Sequence, residues 1–281
     1  MTGARGLLAA LLVAATATLS GCAKLDEMRT QFVAMRYLQS AAQRITRLPQ
    51  QRAQAVRELG RALELRPEDP TLRRRAATLY VAARAYAEAL PLLEGMPAAD
   101  DPRTRVMLAQ CLLQTGQSEL GAKICREQLS RAAKQRAGKQ INRAEYAILL
   151  NDAGYMLADA GVDLATAEAA LSQAVKLLPR EPAIVDSMGW VCFRQGRFRE
   201  AAFYLERAVR LARREQPEVL YHLGATYARL GRLADAERAL RRAIALDPDC
   251  EEAKVDLRRL GRELPAPGWA GLVPPQPDRP A

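Results

Sequence analysis

Residues 183–248, AIVDSMGWVCFRQGRFREAAFYLERAVRLARREQPEVLYHLGATYARLGRLADAERALRRAIALDP, decide the fold. Within them Gly189, Gly196, Ala201, Leu205 and Ala208 recur as Gly224, Gly231, Ala236, Leu240 and Ala243, each pair 35 residues apart. A fixed period between about 20 and 50 residues marks a solenoid, because one helical pair cannot bury its apolar face alone and must stack on its neighbours. The expectation is an all-α stack whose function lies on a surface rather than in a catalytic pocket.

The fullest copy, Pro217 to Cys250, has Leu223-Gly224 and Tyr227 in its first helix, Gly231 at the turn, and Ala236, Leu240 and Ala243 in its second before Pro248. This resembles the tetratricopeptide repeat, a unit of about 34 residues forming helix, turn and helix. Gly and Ala let the two helices approach, Tyr227 and Leu240 fill the space between them, and Gly231 suits the positive φ of a helix C-cap. The copy from Pro182 keeps Met188-Gly189, Gly196, Ala201, Leu205 and Ala208 but has Cys192 in the tyrosine's place. The copy from Ala147 keeps Gly154, Gly161, Ala167, Leu171, Ala174 and Pro179. Two weaker copies precede these. One, from Pro70, replaces the turn glycine with Arg84; the other, from Pro102, has Gly121 and Cys125 in its second helix. Ala55, Leu59, Ala62 and Pro67 match a second helix and its terminating proline.

The resemblance implies a right-handed superhelix of antiparallel helix pairs over residues 37–263. It contains about five to six repeats, strongest over 147–250 and interrupted near 135–146, where some eleven basic residues and spacers are inserted. The insert either extends two helices or forms an exposed loop. Cys250 to Glu263 reads as a C-terminal capping helix, which a solenoid needs to cover its last apolar side. Residues 264–281, with Trp269, form a proline-rich tail expected to be disordered.

The 281 residues carry 42 basic and 32 acidic side chains, a net charge of +10. A basic balance suits nucleic acid, an anionic membrane or an acidic protein equally, so the N-terminus must choose between them. Gly6 to Leu19 is an apolar run too short to span a bilayer comfortably, and it suits the h-region of a secretory signal. Leu19-Ser20-Gly21-Cys22 then looks like the lipobox of bacterial lipoproteins, against the alternatives of an ordinary signal peptide or a buried N-terminal helix. The resemblance implies a signal peptide over 1–21, acylation of Cys22 and an anchor or linker over 22–36. Ala23 follows the cysteine in place of the aspartate that retains many such proteins at the inner membrane, which implies the periplasmic side of the outer membrane. Beyond it Phe32, Val33, Met35, Leu38, Ala41 and Ile45 fall on roughly one helical face.

Catalytic constellations do not emerge from the sequence. The single histidine, His222, has no partner at metal-ligand spacing and is expected to be a satisfied or groove-facing side chain. No Cys-x-x-Cys pair, phosphate-binding loop or G-x-S-x-G elbow occurs. The reading is therefore not an enzyme, with no metal and no cofactor. Export to an oxidising compartment raises a Cys111–Cys125 disulfide, though cysteine is also a good small core residue.

In tetratricopeptide arrays the first helices line a concave face. Matching positions place Asn151, Asp152, Tyr155 and Asp159 there from one repeat, Asp186, Trp190, Phe193 and Arg194 from the next, and Tyr221, His222 and Arg229 from the last. Tyr, Trp and Arg dominate interface energetics, although Tyr155, Trp190 and Phe193 serve equally well as packing between adjacent helices. Arg74, Arg75 and Arg103 offer a basic half-groove nearer the N-terminus. The expected function is a lipid-anchored, non-enzymatic scaffold or assembly factor of the bacterial cell envelope, binding protein partners through the groove. The alternative is an anionic cell-wall glycan or polysaccharide held on a basic face. Nucleic acid is not an expected partner of an exported chain.

Overall fold

The computed structural model describes the backbone of residues 3–47, 51–96 and 102–263, and the side chains of 24–46, 51–96 and 104–261. The side chains of the expected leader and of Cys22 and Arg103, and the tail 264–281 with Trp269, lie outside the described residues. Among the described residues the secondary structure comprises thirteen α-helices and no strand. The chain divides into two compact units, one up to Ile124 and one from Cys125.

The first unit contains α1 (Gly3–Arg47), α2 (Arg52–Leu65), α3 (Pro70–Ala82), α4 (Tyr86–Glu94), α5 (Pro102–Gln114) and the start of α6 (Ser118–Ala137). Here α1 packs on α2 and α3, α3 on α4, and α4 on α5. The Asp69 carboxylate accepts hydrogen bonds from the backbone of Thr71 and Leu72, both at 3.0 Å, and Pro70 occupies the first turn of α3. Capping by acceptor and proline together fixes where that helix begins. Its end is less comfortable. Arg84, standing where the stronger repeats have glycine, adopts φ +60° in the left-handed region. An L-residue with a Cβ pays a steric cost there, which is why this copy looks weak in sequence and still turns.

The second unit holds the rest of α6, then α7 (Arg143–Ala160), α8 (Leu164–Leu177), α9 (Pro182–Arg194), α10 (Phe198–Leu211), α11 (Pro217–Arg229), α12 (Leu233–Leu246) and α13 (Glu251–Glu263). The helices α7 and α8, α9 and α10, and α11 and α12 pair closely, α7, α9 and α11 pack in succession, and α13 closes on α11 and α12. The core repeats itself. Ala167, Leu171 and Ala174, then Ala201, Leu205 and Ala208, then Ala236, Leu240 and Ala243 are all wholly buried. A Cβ placed on Gly189 would lie 2.6 Å from Leu205 Cγ, and one on Gly224 would lie 2.8 Å from Leu240 Cγ. Glycine is thus what sets the distance between paired helices, and the 35-residue echo is the sequence trace of that contact.

The inserted segment lengthens two helices. It carries α6 to Ala137, turns through 138–142, and starts α7 with a reciprocal cap between Asn142 and Glu145. Ala132, Tyr146, Ala147 and Leu150 bury into one cluster with Ala170, Ala174 and Ile184, so the elongation is part of the core. One expectation is corrected. On α1, Ala34, Leu38 and Ala41 are the buried face, whereas Phe32 and Met35 are exposed on the other side. Phe32, Met35 and Leu38 therefore do not share a face, because at about 100° per residue Phe32 and Leu38 point some 120° apart. The cysteines Cys111, Cys125, Cys192 and Cys250 are buried thiols that form no disulfide with one another. Burial pushes Cys111 and Cys125 up to about 12 and Cys192 up to about 11, so they behave as small core residues rather than reactive groups.

Candidate interaction surface on the first helices

Three successive first helices of the second unit, α7, α9 and α11, converge on Trp190. The indole is 4 % exposed. Phe193, one turn further along α9, stacks on it with centroids 4.7 Å apart, and His222 of α11 stacks on it at 4.0 Å. Tyr221 leans in at 5.9 Å. From α7, the Asp159 carboxylate accepts the indole N–H at 3.3 Å, and the Asp159 backbone carbonyl accepts a hydrogen bond from Arg194. Arg194 also stands 5.9 Å from the Trp190 ring centroid. Trp190 is therefore a hub between repeats as well as a floor beneath the surface residues around it.

His222 is the most buried member, and the Asp186 carboxylate of α9 meets its Nδ1 at 3.0 and 3.1 Å. Burial alone works to lower the imidazole's pKa. The Asp186 charge and hydrogen bond outweigh it, helped by Glu218 and Asp159, and hold it above the ordinary histidine value. The Tyr155 hydroxyl donates to the Glu218 carboxylate, tying α7 to α11. Burial, with Glu218 and Asp159 nearby, pushes that phenol far above its ordinary range, so it remains a donor. Asp152 is also shifted upward by burial, although Asn151 opposes the shift by hydrogen bonding. The amide oxygen of Asn151 is buried with no hydrogen-bond partner. Tyr221 is raised mainly by burial and then by Asp256 and Glu252.

The structure thus sorts the residues expected to face a groove. Asp186, Trp190 and His222 are buried and hold the helices together; Asn151, Tyr155, Phe193, Arg194 and Tyr221 are half-buried; Arg229 is exposed. All but Asn151 and Arg229 are joined through the Trp190–His222 stack. Arg229 stands apart, its guanidinium 4.3 Å over the ring of Phe198, which in turn meets Phe193 edge-on at 5.5 Å. Trp190 packs fully between the helices, whereas Tyr155 and Phe193 keep part of their surface exposed. Phe198 and Glu218 lie outside the expected set. Glu218 precedes His222 by one helical turn and was legible on that spacing, whereas Phe198 comes from a second helix and carries no such signal.

Other chemistry is sparse. Among the described residues no group of three or more His, Cys, Asp and Glu side chains is placed to hold a metal ion, and no helix is long and apolar enough to cross a membrane. Arg74 and Arg75 are exposed on α3.

Comparison with known proteins agrees with this geometry. Models described as tetratricopeptide repeat match residues 217–250 and 186–215. A TPR repeat-containing protein of Pseudomonas aeruginosa is 45% identical over 78 residues, which are 28% of this chain and 13% of that relative's length. The chain therefore spans a small part of the curated relative it matches. Among solved structures, a tetratricopeptide repeat protein from Parabacteroides merdae aligns with TM-score 0.60 and 11% identity over 81% of this chain and 84% of that one. The Cut9–Hcn1 hetero-tetramer of the APC/C aligns with TM-score 0.51 and 14% identity over 81% of this chain and 42% of that one. At these identities the two structures speak to the fold, an α-helical repeat solenoid.

Proposed function

We propose that this chain, which carries tetratricopeptide repeats, is a membrane-anchored, non-enzymatic scaffold that gathers a protein partner on the first-helix face of α7, α9 and α11. The observation that carries this reading is the aromatic cluster around Trp190. Its inner members are fixed by Asp159, Asp186 and neighbouring rings, so that Phe193, Arg194 and Tyr221 are held half-exposed above a rigid floor. Preorganised aromatic and arginine side chains lose little entropy on binding and make good anchors. The His222–Asp186 pair invites a catalytic interpretation, but the imidazole is 2 % exposed and does not reach the surface. Its role is to join α9 and α11.

The membrane half of the proposal rests on the apolar run 6–19 and on Leu19-Ser20-Gly21-Cys22. Acylation at Cys22 places the scaffold on the envelope, at the periplasmic side of the outer membrane. There it acts as an assembly factor. The burial of Trp190 dictates how the surface is tested, since Trp190→Ala removes packing as well as contact. Tyr221→Ala trims a half-buried ring at the edge of the hub and Arg229→Glu reverses an exposed charge, and both leave Trp190, His222 and Asp186 in place. Pull-downs from detergent-solubilised envelopes with each variant, checked for unchanged helical signal, are expected to lose partner recovery. Full recovery with both variants eliminates this face as the binding surface.

A further inference from the structure

The exposed apolar residues of α1 form a pattern that the scaffold reading leaves unused. Leu25, Met28, Phe32 and Met35 are 66, 60, 63 and 38 % exposed, an unusual set of large side chains to leave in water on one helix. Their spacing of three, four and three residues places them in one narrow stripe. The opposite side of the same helix buries Ala34, Leu38 and Ala41 against the rest of the first unit. The stripe is therefore not part of that core.

The charges beside it are arranged by sign. At about 100° per residue, Lys24, Arg29 and Arg36 fall within roughly 80° of the stripe's midline, whereas Asp26 and Glu27 fall more than about 100° away. Glu27 pairs with Arg66 of the first unit at 3.7 Å. The flanks are thus basic and otherwise neutral, with Gln31 on one of them and Gln39 continuing the line of the stripe itself. A second copy docked along this stripe brings these basic flanks against each other. An anionic surface instead receives them, with the aliphatic stems of Lys and Arg lying along the apolar layer and their heads at phosphate level.

We infer that the stripe Leu25–Met28–Phe32–Met35 is a membrane-docking face that lays α1 along an anionic lipid surface. Leu, Met and Phe enter the boundary of headgroups and acyl chains, and Lys24, Arg29 and Arg36 contact phosphate. The inference shares the membrane location proposed above without depending on the acyl group, and the two fail separately. The mass of the native N-terminus reads acylation, while the assay below uses a chain that cannot be acylated.

The chain from residue 22 onward, freed of the apolar run 6–19 and bearing Cys22→Ser and Phe32→Trp, is mixed with vesicles of phosphatidylethanolamine and phosphatidylglycerol, the latter with brominated acyl chains. Emission is taken as the difference from the same chain that keeps Phe32, so that Trp190 and Trp269 cancel. The added emission is expected to shift to the blue and to be quenched at least twofold. Replacing Lys24, Arg29 and Arg36 by glutamate is expected to weaken binding to these vesicles at least tenfold, since each basic residue at the surface contributes roughly fivefold. Added emission that is neither shifted nor quenched overturns the inference. So does a blue shift that grows with protein concentration without vesicles and accompanies a doubled mass in sedimentation, because the stripe then closes on a second copy.

Discussion

His222 owes its charge to a residue one repeat away. Its folded pKa is raised because Asp186 outweighs the effect of burial, so protonation stabilises the fold. That contribution is complete below the unfolded value of about 6.5 and is lost as pH rises through the higher folded value. The melting temperature of the wild type is therefore expected to exceed that of His222→Gln by more at pH 5.5 than at pH 9. A gap that widens toward pH 9 contradicts the assignment. Asp186→Asn leaves the imidazole in a buried site without its counter-charge and is expected to cost about 3 kcal/mol near pH 6, read by denaturant unfolding. At this scale the sequence was half legible. His222 stood out as a lone histidine, but its partner is 36 residues earlier, and only stacking of successive repeats brings the two together.

Among elements, the helix pairs depend on contacts that tolerate no added atom. Gly189→Ala and Gly224→Ala force a Cβ to within 3 Å of Leu205 and Leu240, and each is expected to destabilise the second unit by about 1–3 kcal/mol, as overpacking does. The converse holds at Arg84. Relief of its left-handed backbone by Arg84→Gly is expected to raise the stability of the first unit by about 1 kcal/mol, measured as a shift of the denaturant midpoint. These contacts explain which elements could be read in advance. Repeats that solve the pair and the turn with glycine announce themselves by spacing. The α3–α4 pair reaches the same turn with arginine, and the insert at 135–146 becomes longer helices, because Tyr146 and Ala132 supply core where the repeat pattern specifies nothing. On α1 the apolar residues were legible but their facing was not. The helix has two apolar sides, and only the contacts with α2 and α3 reveal which one the first unit covers.

For the molecule as a whole, the net charge of +10 says little about where charges act. The cluster around Trp190 gathers Asp159, Asp186 and Glu218 on an otherwise basic chain, while basic side chains line the exposed stripe of α1. The proposed partner face and the proposed membrane-docking face therefore have opposite electrostatic settings. This bears on the anchor proposed at Cys22. A single acyl chain holds a protein only marginally, whereas two or three chains, each buried methylene contributing about 0.8 kcal/mol, hold it for practical purposes permanently. A basic amphipathic helix gives weaker attachment that falls with ionic strength as charges are screened over about 10 Å at 0.1 M salt. The native chain is accordingly expected in the detergent phase after phase separation at any salt concentration, with acyl mass on its first residue, Cys22. The chain started at residue 22 with Cys22→Ser, which lacks both the apolar run 6–19 and the acyl group, is expected to partition to the aqueous phase at high salt while keeping salt-sensitive binding to anionic vesicles. A native chain that begins at residue 22 without acyl mass excludes the acyl anchor, and vesicle binding of the leaderless Cys22→Ser chain that is indifferent to salt excludes the basic contribution of α1.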